Sequence, residues 1–381
     1  MNWLELFFDL VMVAYIGQIA HTMHGDPGWG DALLFAALLA TAWWAWVNAT
    51  LTMNLFGARA NPVMFVAVTL AMLSIGVMAV SVPDALTDRA VAFALGNAAI
   101  RLVWMLPWLV QGRKLGGSWW QSVIYCAVPA SLWLVSIAVP APGRYGLWIA
   151  AVAVEVTMLS LLGRRSSWLQ EALDVDHLVE RVGLLVVIVF GESVLAIVAE
   201  VDGHWGPDAW VAGTLGFLAV AVLAWTFFGY GVSAAGRGLR DLQNRGSVTG
   251  LRDTVMYLPY LLVAGIVLFA AGLGTAIADA GHSLPVGAAV CLAAGVSLFF
   301  LASSAEALRY GAPWRDIIPW GPAGIAAPWV LVPLATVLGA TSTVAAALIL
   351  VIALAILNGI STRSRRRSFA PRAPASRSRA R

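Results

Sequence analysis

Apolar residues run along this chain in blocks of about twenty, separated by short stretches that carry charge, proline or glycine. One helix needs roughly 20 mostly apolar residues to cross a bilayer core. Twelve blocks of that size are read at 3–23, 31–54, 62–83, 89–111, 117–140, 143–163, 178–200, 208–233, 252–278, 284–308, 318–340 and 342–361. The fold class this predicts is an all-α polytopic membrane protein of about twelve transmembrane helices. The blocks leave no room for a large soluble domain. The last two are drawn least sharply, because Pro328 and Pro333 interrupt the eleventh and almost no loop separates it from the twelfth.

Composition agrees. Of 381 residues, 60% are hydrophobic and 11% charged, where a soluble domain carries about a quarter charged. The placement of charge adds an orientation, since Lys and Arg favour cytoplasmic loops. With the N-terminus inside, the cytoplasmic loops hold Arg59, Arg113, Lys114, Arg164, Arg165, Arg237, Arg240, Arg245, Arg309 and Arg315. The external loops then hold only Arg89 and Arg144, and collect Asp26, Asp84, Asp88, Asp202, Asp208 and Asp279. Both termini are therefore expected in the cytoplasm. The opening MNWLELFFDL lacks a basic n-region and is interrupted by Glu5 and Asp9, so it is not expected to be a cleaved secretory signal. The stretch from Ser361 to Arg381 contains eight arginines and cannot bury a core. Residues 362–381 are expected to form a disordered cytoplasmic tail, serving either as a topology anchor or as a site for anionic lipid.

Internal similarity divides the rest. LELFFDLVMVAYIGQ near the start is echoed by VERVGLLVVIVFGES at 179–193, GWGDA at 28–32 by HWGPDA at 204–209, WWAWVN at 43–48 by AWTFFGY at 224–230, and PVMFV by TVMYL at 254–258. Four matches in the same order predict two parallel six-helix repeats, 1–165 and 166–361, with a site between them near mid-membrane.

Ionisable residues inside spans are costly and mark candidate sites. Glu5 and Asp9 lie i,i+4 on one face of the first helix, where Glu5 is also readable as an interfacial carboxylate. The seventh helix carries Glu180, Arg181 and Glu192. Arg181 and Glu192 are eleven residues apart and return to one face, and Gly191 beside Glu192 is expected to allow close packing. Glu192 is the first choice for a working residue, with a buried structural carboxylate as the alternative. Arg101 needs an acid, and Asp9 and Glu155 lie at similar depth. Glu306 and Arg309 are expected at the interface. His21 and His24 fall at the external end, as pH sensors or as solvated loop residues. Among 18 tryptophans, Trp29, Trp119, Trp120, Trp205 and Trp314 suit interfaces. Trp43, Trp44, Trp46, Trp104 and Trp225 lie within spans, to line a cavity or to pack.

Cys126 and Cys291 sit in apolar segments without metal-ligand spacing and read as small buried hydrophobes. HExxH, Walker A, dinucleotide-binding, Cys/His cluster and GxSxG patterns are absent, so no metal and no cofactor is expected.

ELFFDLVMV at 5–13 together with ERVGLLVVIVFGES at 180–193 resembles the bacterial low temperature requirement protein A family over nearly the whole chain. The resemblance implies a protein of the bacterial cytoplasmic membrane associated with cold growth. Its motif residues here are Glu5, Phe7, Phe8, Asp9, Glu180, Arg181, Gly183, Gly191, Glu192 and Ser193.

The function expected first is a transporter or channel in which Asp9 and Glu192 handle a proton or cation. Glu5, Arg101, Glu155, Glu180, Arg181, Ser193, Trp44 and Trp46 would line the binding region. The alternative is a membrane-embedded enzyme acting on a lipid or isoprenoid, with a buried carboxylic acid as proton donor. A non-catalytic scaffold or sensor of envelope stress is the third. The partners are then the lipid bilayer, anionic lipid at the tail, a small ion or lipid-like substrate and, left open, a second copy of the chain. Nothing calls for nucleic acid.

Overall fold

The computed structural model of the chain describes residues 3–57, 61–112, 119–165, 173–245 and 254–368. The principal helices are α1 (Trp3–His21), α2 (Trp29–Phe56), α3 (Pro62–Ser81), α4 (Ala90–Gln111), α5 (Trp119–Ala138) and α6 (Gly143–Arg165). There follow α7 (Val175–Gly203), α8 (Pro207–Thr226), α9 (Val232–Asn244), α10 (Leu258–Ala278), α11 (Val286–Arg309) and α12 (Ala340–Ser368). A π-helical turn, Phe227–Gly231, joins α8 to α9. Extended structure among the described residues is limited to one isolated bridge, Ser283 to Gly339.

Helix starts follow local chemistry. The Asn61 side chain accepts from the Val63 amide at 3.0 Å ahead of Pro62, and Asp174 accepts from the His177 amide at 3.1 Å. Both satisfy amides that the first helical turn leaves unpaired.

Among the described residues, eleven helical spans are long and apolar enough to cross a membrane, with α8 and α9 counted as one. The block expected at 318–340 differs. It breaks into Trp314–Ile317, Gly321–Ala326, a 3-10 turn Ala327–Val330 and Leu331–Ala335. Pro322, Pro328 and Pro333 each remove an amide donor, so the apolar run Gly321–Ala335 stays short and bent. At the other end of the expected tail, α12 continues to Ser368, and residues 369–381 lie outside the described residues.

Burial separates a centre from a periphery. The most apolar window of the α10 span is 83% buried, that of α6 only 17%. Apolar side chains such as Leu73, Val80 and Ile149 stand more than half exposed on the outer helices. A surface of this kind belongs in lipid. With lipid as solvent, helix association rests on close van der Waals contact, which small residues permit. α10 and α11 meet in this way: a Cβ built on Gly265 would lie 2.7 Å from the Gly295 carbonyl oxygen.

Two contacts position the site. α1 and α7 run side by side in the same direction: Glu5 and Asp9 meet His177 and Arg181 at one end, and Gly17 meets Glu192 at the other. The α1–α2 loop is fastened to the second half of the chain. The Gly25 amide donates to Thr275 Oγ1 at 3.0 Å, and the Gly287 amide donates to Asp26 Oδ1 at 2.6 Å.

Candidate functional site

The seam between α1 and α7 gathers half of the expected site residues: Glu5, Asp9, Trp46, Arg181 and Glu192. Arg181 is fully buried, and its Nη2 donates to Asp9 Oδ1 at 2.8 Å and to Thr50 Oγ1 at 3.3 Å. Its Nη1 lies 3.7 Å from Glu5 Oε2 and 3.5 Å from Met53 Sδ. Trp46 Nε1 donates to the same Asp9 oxygen at 2.9 Å, and its ring lies 5.9 Å from the guanidinium carbon. Glu5 Oε2 also contacts His177 Nε2 at 2.8 Å, and His177 Nδ1 faces Asn54 Nδ2 at 3.0 Å. Asn54 in turn exchanges hydrogen bonds with the Asp174 backbone at 2.8 and 3.0 Å, which joins the carboxyl end of α2 to the amino end of α7.

This cluster is incomplete. Asp9 Oδ2 and Arg181 Nε are buried and have no hydrogen-bond partner among the described residues. Buried polar atoms are nearly always satisfied, so these two unpaired atoms set the Asp9–Arg181 pair apart from a fully bonded ion pair.

Twelve ångströms or so along α1, at about 1.5 Å per residue, the far end of the seam holds Glu192. Its carboxylate lies against Gly17, in the space a side chain there would fill, and His21 is within electrostatic reach. The expectation placed the packing glycine at Gly191; instead Gly191 is exposed with open space around it, and Gly17 across the seam makes the contact. The residue that matters is on the facing helix, which no spacing within α7 could reveal. Beyond Glu192, the His21 and His24 rings lie 4.9 Å apart, and Glu200 reaches His24 Nδ1 at 3.5 Å and His204 Nδ1 at 3.4 Å. Burial, and secondarily the neighbouring His21, pushes the His24 pKa down to about 4. At neutral pH His24 is uncharged, so its contact with Glu200 is polar rather than ionic. Between the two ends Met12, Val13 and Ile16 keep the seam apolar and buried.

Arg101 and Glu155 lie elsewhere, paired with each other across α4 and α6. Arg101 Nε and Nη2 donate to Glu155 Oε2 at 3.1 and 2.8 Å, and Nη1 donates to the Asn97 carbonyl and side chain. Asn48 Nδ2 donates to Glu155 Oε1 at 2.7 Å, and Tyr125 fixes Asn48 through its hydroxyl at 2.6 Å.

The remaining candidates do not join either cluster. Trp44 packs edge-on to Tyr257 at 5.7 Å, and Ser193 Oγ donates to the Val189 carbonyl of its own helix. Glu180 is exposed on a groove wall with Asp176 and Arg237. Trp225 lies within a span as expected but stands 71% exposed, so it is not packed inside. Glu306, expected at the interface, is half-buried one turn before the end of α11 and lines a small pocket with Thr254, Pro259 and Tyr310. His177, Asn54, Asn48 and Tyr125 were not foreseen. His177 lies one turn before Arg181, and Trp46, Thr50 and Asn54 share a face of α2 at i, i+4 and i+8. That spacing was the available signal.

The architecture and the seam define a multi-pass helical membrane protein with a buried acid–base cluster joining the start of its sequence to its middle. The chain belongs to the family described as bacterial low temperature requirement A protein (LtrA), whose model matches residues 1–356. It is similar to the uncharacterized protein RA0937 of Rhizobium meliloti (strain 1021), at 27% identity over 282 residues, covering 70% of this chain and 67% of that protein. No solved structure matches it.

Proposed function

We propose that this LtrA protein moves protons or a small cation across the bacterial cytoplasmic membrane, with Asp9 and Glu192 as the groups that take up and release charge. One observation carries the reading: carboxylates and histidines from two parallel helices gather at both ends of a single seam, with an apolar stretch between them. Glu5, Asp9, His177 and Arg181 stand at one end, and His21, His24, Glu192 and Glu200 at the other. Chains of buried acids and histidines suit proton relays, and the apolar interval suits a gate that closes one end while the other is open.

Under this reading the halves 1–165 and 166–361 are parallel repeats, with α1 and α7 as their opening helices and the seam as the site between them. Both termini are cytoplasmic, which places Asp9 toward the inside and Glu192 toward the outside. The arginine-rich tail would serve as an anchor of that orientation, with a site for anionic lipid as the alternative. A second copy of the chain is not needed to complete the seam.

The test is flux in proteoliposomes under an imposed pH or cation gradient. Glu192→Gln is expected to reduce flux to background while reconstituting and unfolding like the parent. Undiminished flux by that variant would sink the proposal.

A further inference from the structure

We propose a binding groove for a phospholipid with a primary-amine, zwitterionic headgroup, such as phosphatidylethanolamine, between α7 and the α8–α9 elbow. The groove, about 720 Å³ and open along one side, is lined by Asp176, Glu180, Leu184 and Val187 of α7, Phe228 of the π-helical turn, and Arg237 and Arg240 of α9. On α7 the lining residues recur at i, i+4, i+8 and i+11, so one helix face changes from two acids to two aliphatics along its length. On α9 the two arginines are three residues apart and share a face. Charged groups therefore close one end of the groove, and apolar side chains wall the other. Val187 and Phe228 are 46% and 37% exposed, as expected of walls that meet an acyl chain.

Charge complementarity selects the headgroup. Two arginines and two carboxylates line the polar end, so it presents both signs of charge. An anionic headgroup would gain from the arginines and lose to the acids. A headgroup holding phosphate and ammonium a few bonds apart satisfies both. Arg237 is exposed and has no partner among the described residues, so it is free to take the phosphate. Arg240 is held toward the groove by Asp176, with Nε and Nη2 both 2.8 Å from Oδ1. A primary ammonium can donate hydrogen bonds to Asp176 and Glu180; a quaternary one cannot.

The experiment is native mass spectrometry of the detergent-purified full chain titrated with dioleoyl lipids. Phosphatidylethanolamine is expected to bind about fivefold or more tightly than phosphatidylcholine or phosphatidylglycerol. Glycerophosphoethanolamine, which has the headgroup but no chains, should fail to compete. Arg237→Ala should remove the preference by losing the phosphate contact. Gly183→Leu should block the groove, since open space surrounds Gly183. Equal or tighter phosphatidylglycerol binding would overturn the proposal, as would a preference unchanged in both variants. Thermal unfolding of each variant without added lipid separates lost binding from lost fold.

Discussion

Two buried arginine–carboxylate pairs lie within this membrane protein, and they are built differently. At Arg101 every side-chain nitrogen donates, and both oxygens of Glu155 accept. All of its partners belong to α2, α4, α5 and α6, within the first half of the chain. At Arg181 the pair with Asp9 joins α7 to α1 and α2, and leaves one nitrogen and one oxygen unused. A saturated pair has one stable arrangement and serves as a staple. An unsaturated pair can accept a proton, a water or a new partner without first breaking its present bonds. The same two side-chain types thus serve stability in one place and, under our proposal, exchange in the other.

The comparison predicts opposite outcomes for similar substitutions. Glu155→Leu strands Arg101 and should cost about 3–5 kcal/mol of stability, read from thermal unfolding in detergent. The double variant Arg101→Met/Glu155→Leu should recover most of that loss, because the staple needs no charge of its own. Asp9→Asn should cost less, about 1.5–3 kcal/mol, since Glu5 still faces Arg181 at 3.7 Å; yet it should abolish proteoliposome flux. A variant that keeps full flux, or one that unfolds as readily as Glu155→Leu, would erase the distinction. Trp46→Phe removes one donor to Asp9 and should cost about 1 kcal/mol.

The smallest effect is at the His24 end of the seam. The folded-state pKa of His24 is lowered to about 4 from an ordinary value of 6.5. Below pH 6.5 the unfolded chain takes up a proton that the folded chain refuses. Stability should therefore fall as pH drops from 6.5 toward 4, and should be flat in this respect above that window. His24→Gln should flatten that portion of the pH profile.

Much of the fold was legible in the sequence because a bilayer imposes a length on every apolar run. Ten of the long spans were placed directly, and α12 was recognised as the last. The broken run Gly321–Ala335 was drawn as a full span because hydropathy counts apolar residues and does not feel Pro322, Pro328 and Pro333 removing donors. Within the site, Asp9, Glu192, Arg181, Arg101 and Glu155 stood out by the cost of burying charge. Their pairing did not. Asp9 and Glu155 were equal candidates for Arg101, and only the three-dimensional arrangement of the helices, which brings Glu155 to 2.8 Å from Arg101, decided between them. His177 and Asn54 went unnoticed because a polar residue near a helix end needs no explanation until its neighbour across the seam is known, and Asn48 because a single uncharged amide within a span is cheap beside a charge.

Gly17 and Glu192 occupy one volume between them. The acid has its position because the facing helix contributes no atom beyond its backbone at that point. The two positions are therefore not free to vary separately: an alanine at 17 would require a shorter acid at 192, or would turn the carboxylate out of the seam. Shape, as much as charge, sets where this acid can act, because bulk at the first position moves the carboxylate at the second.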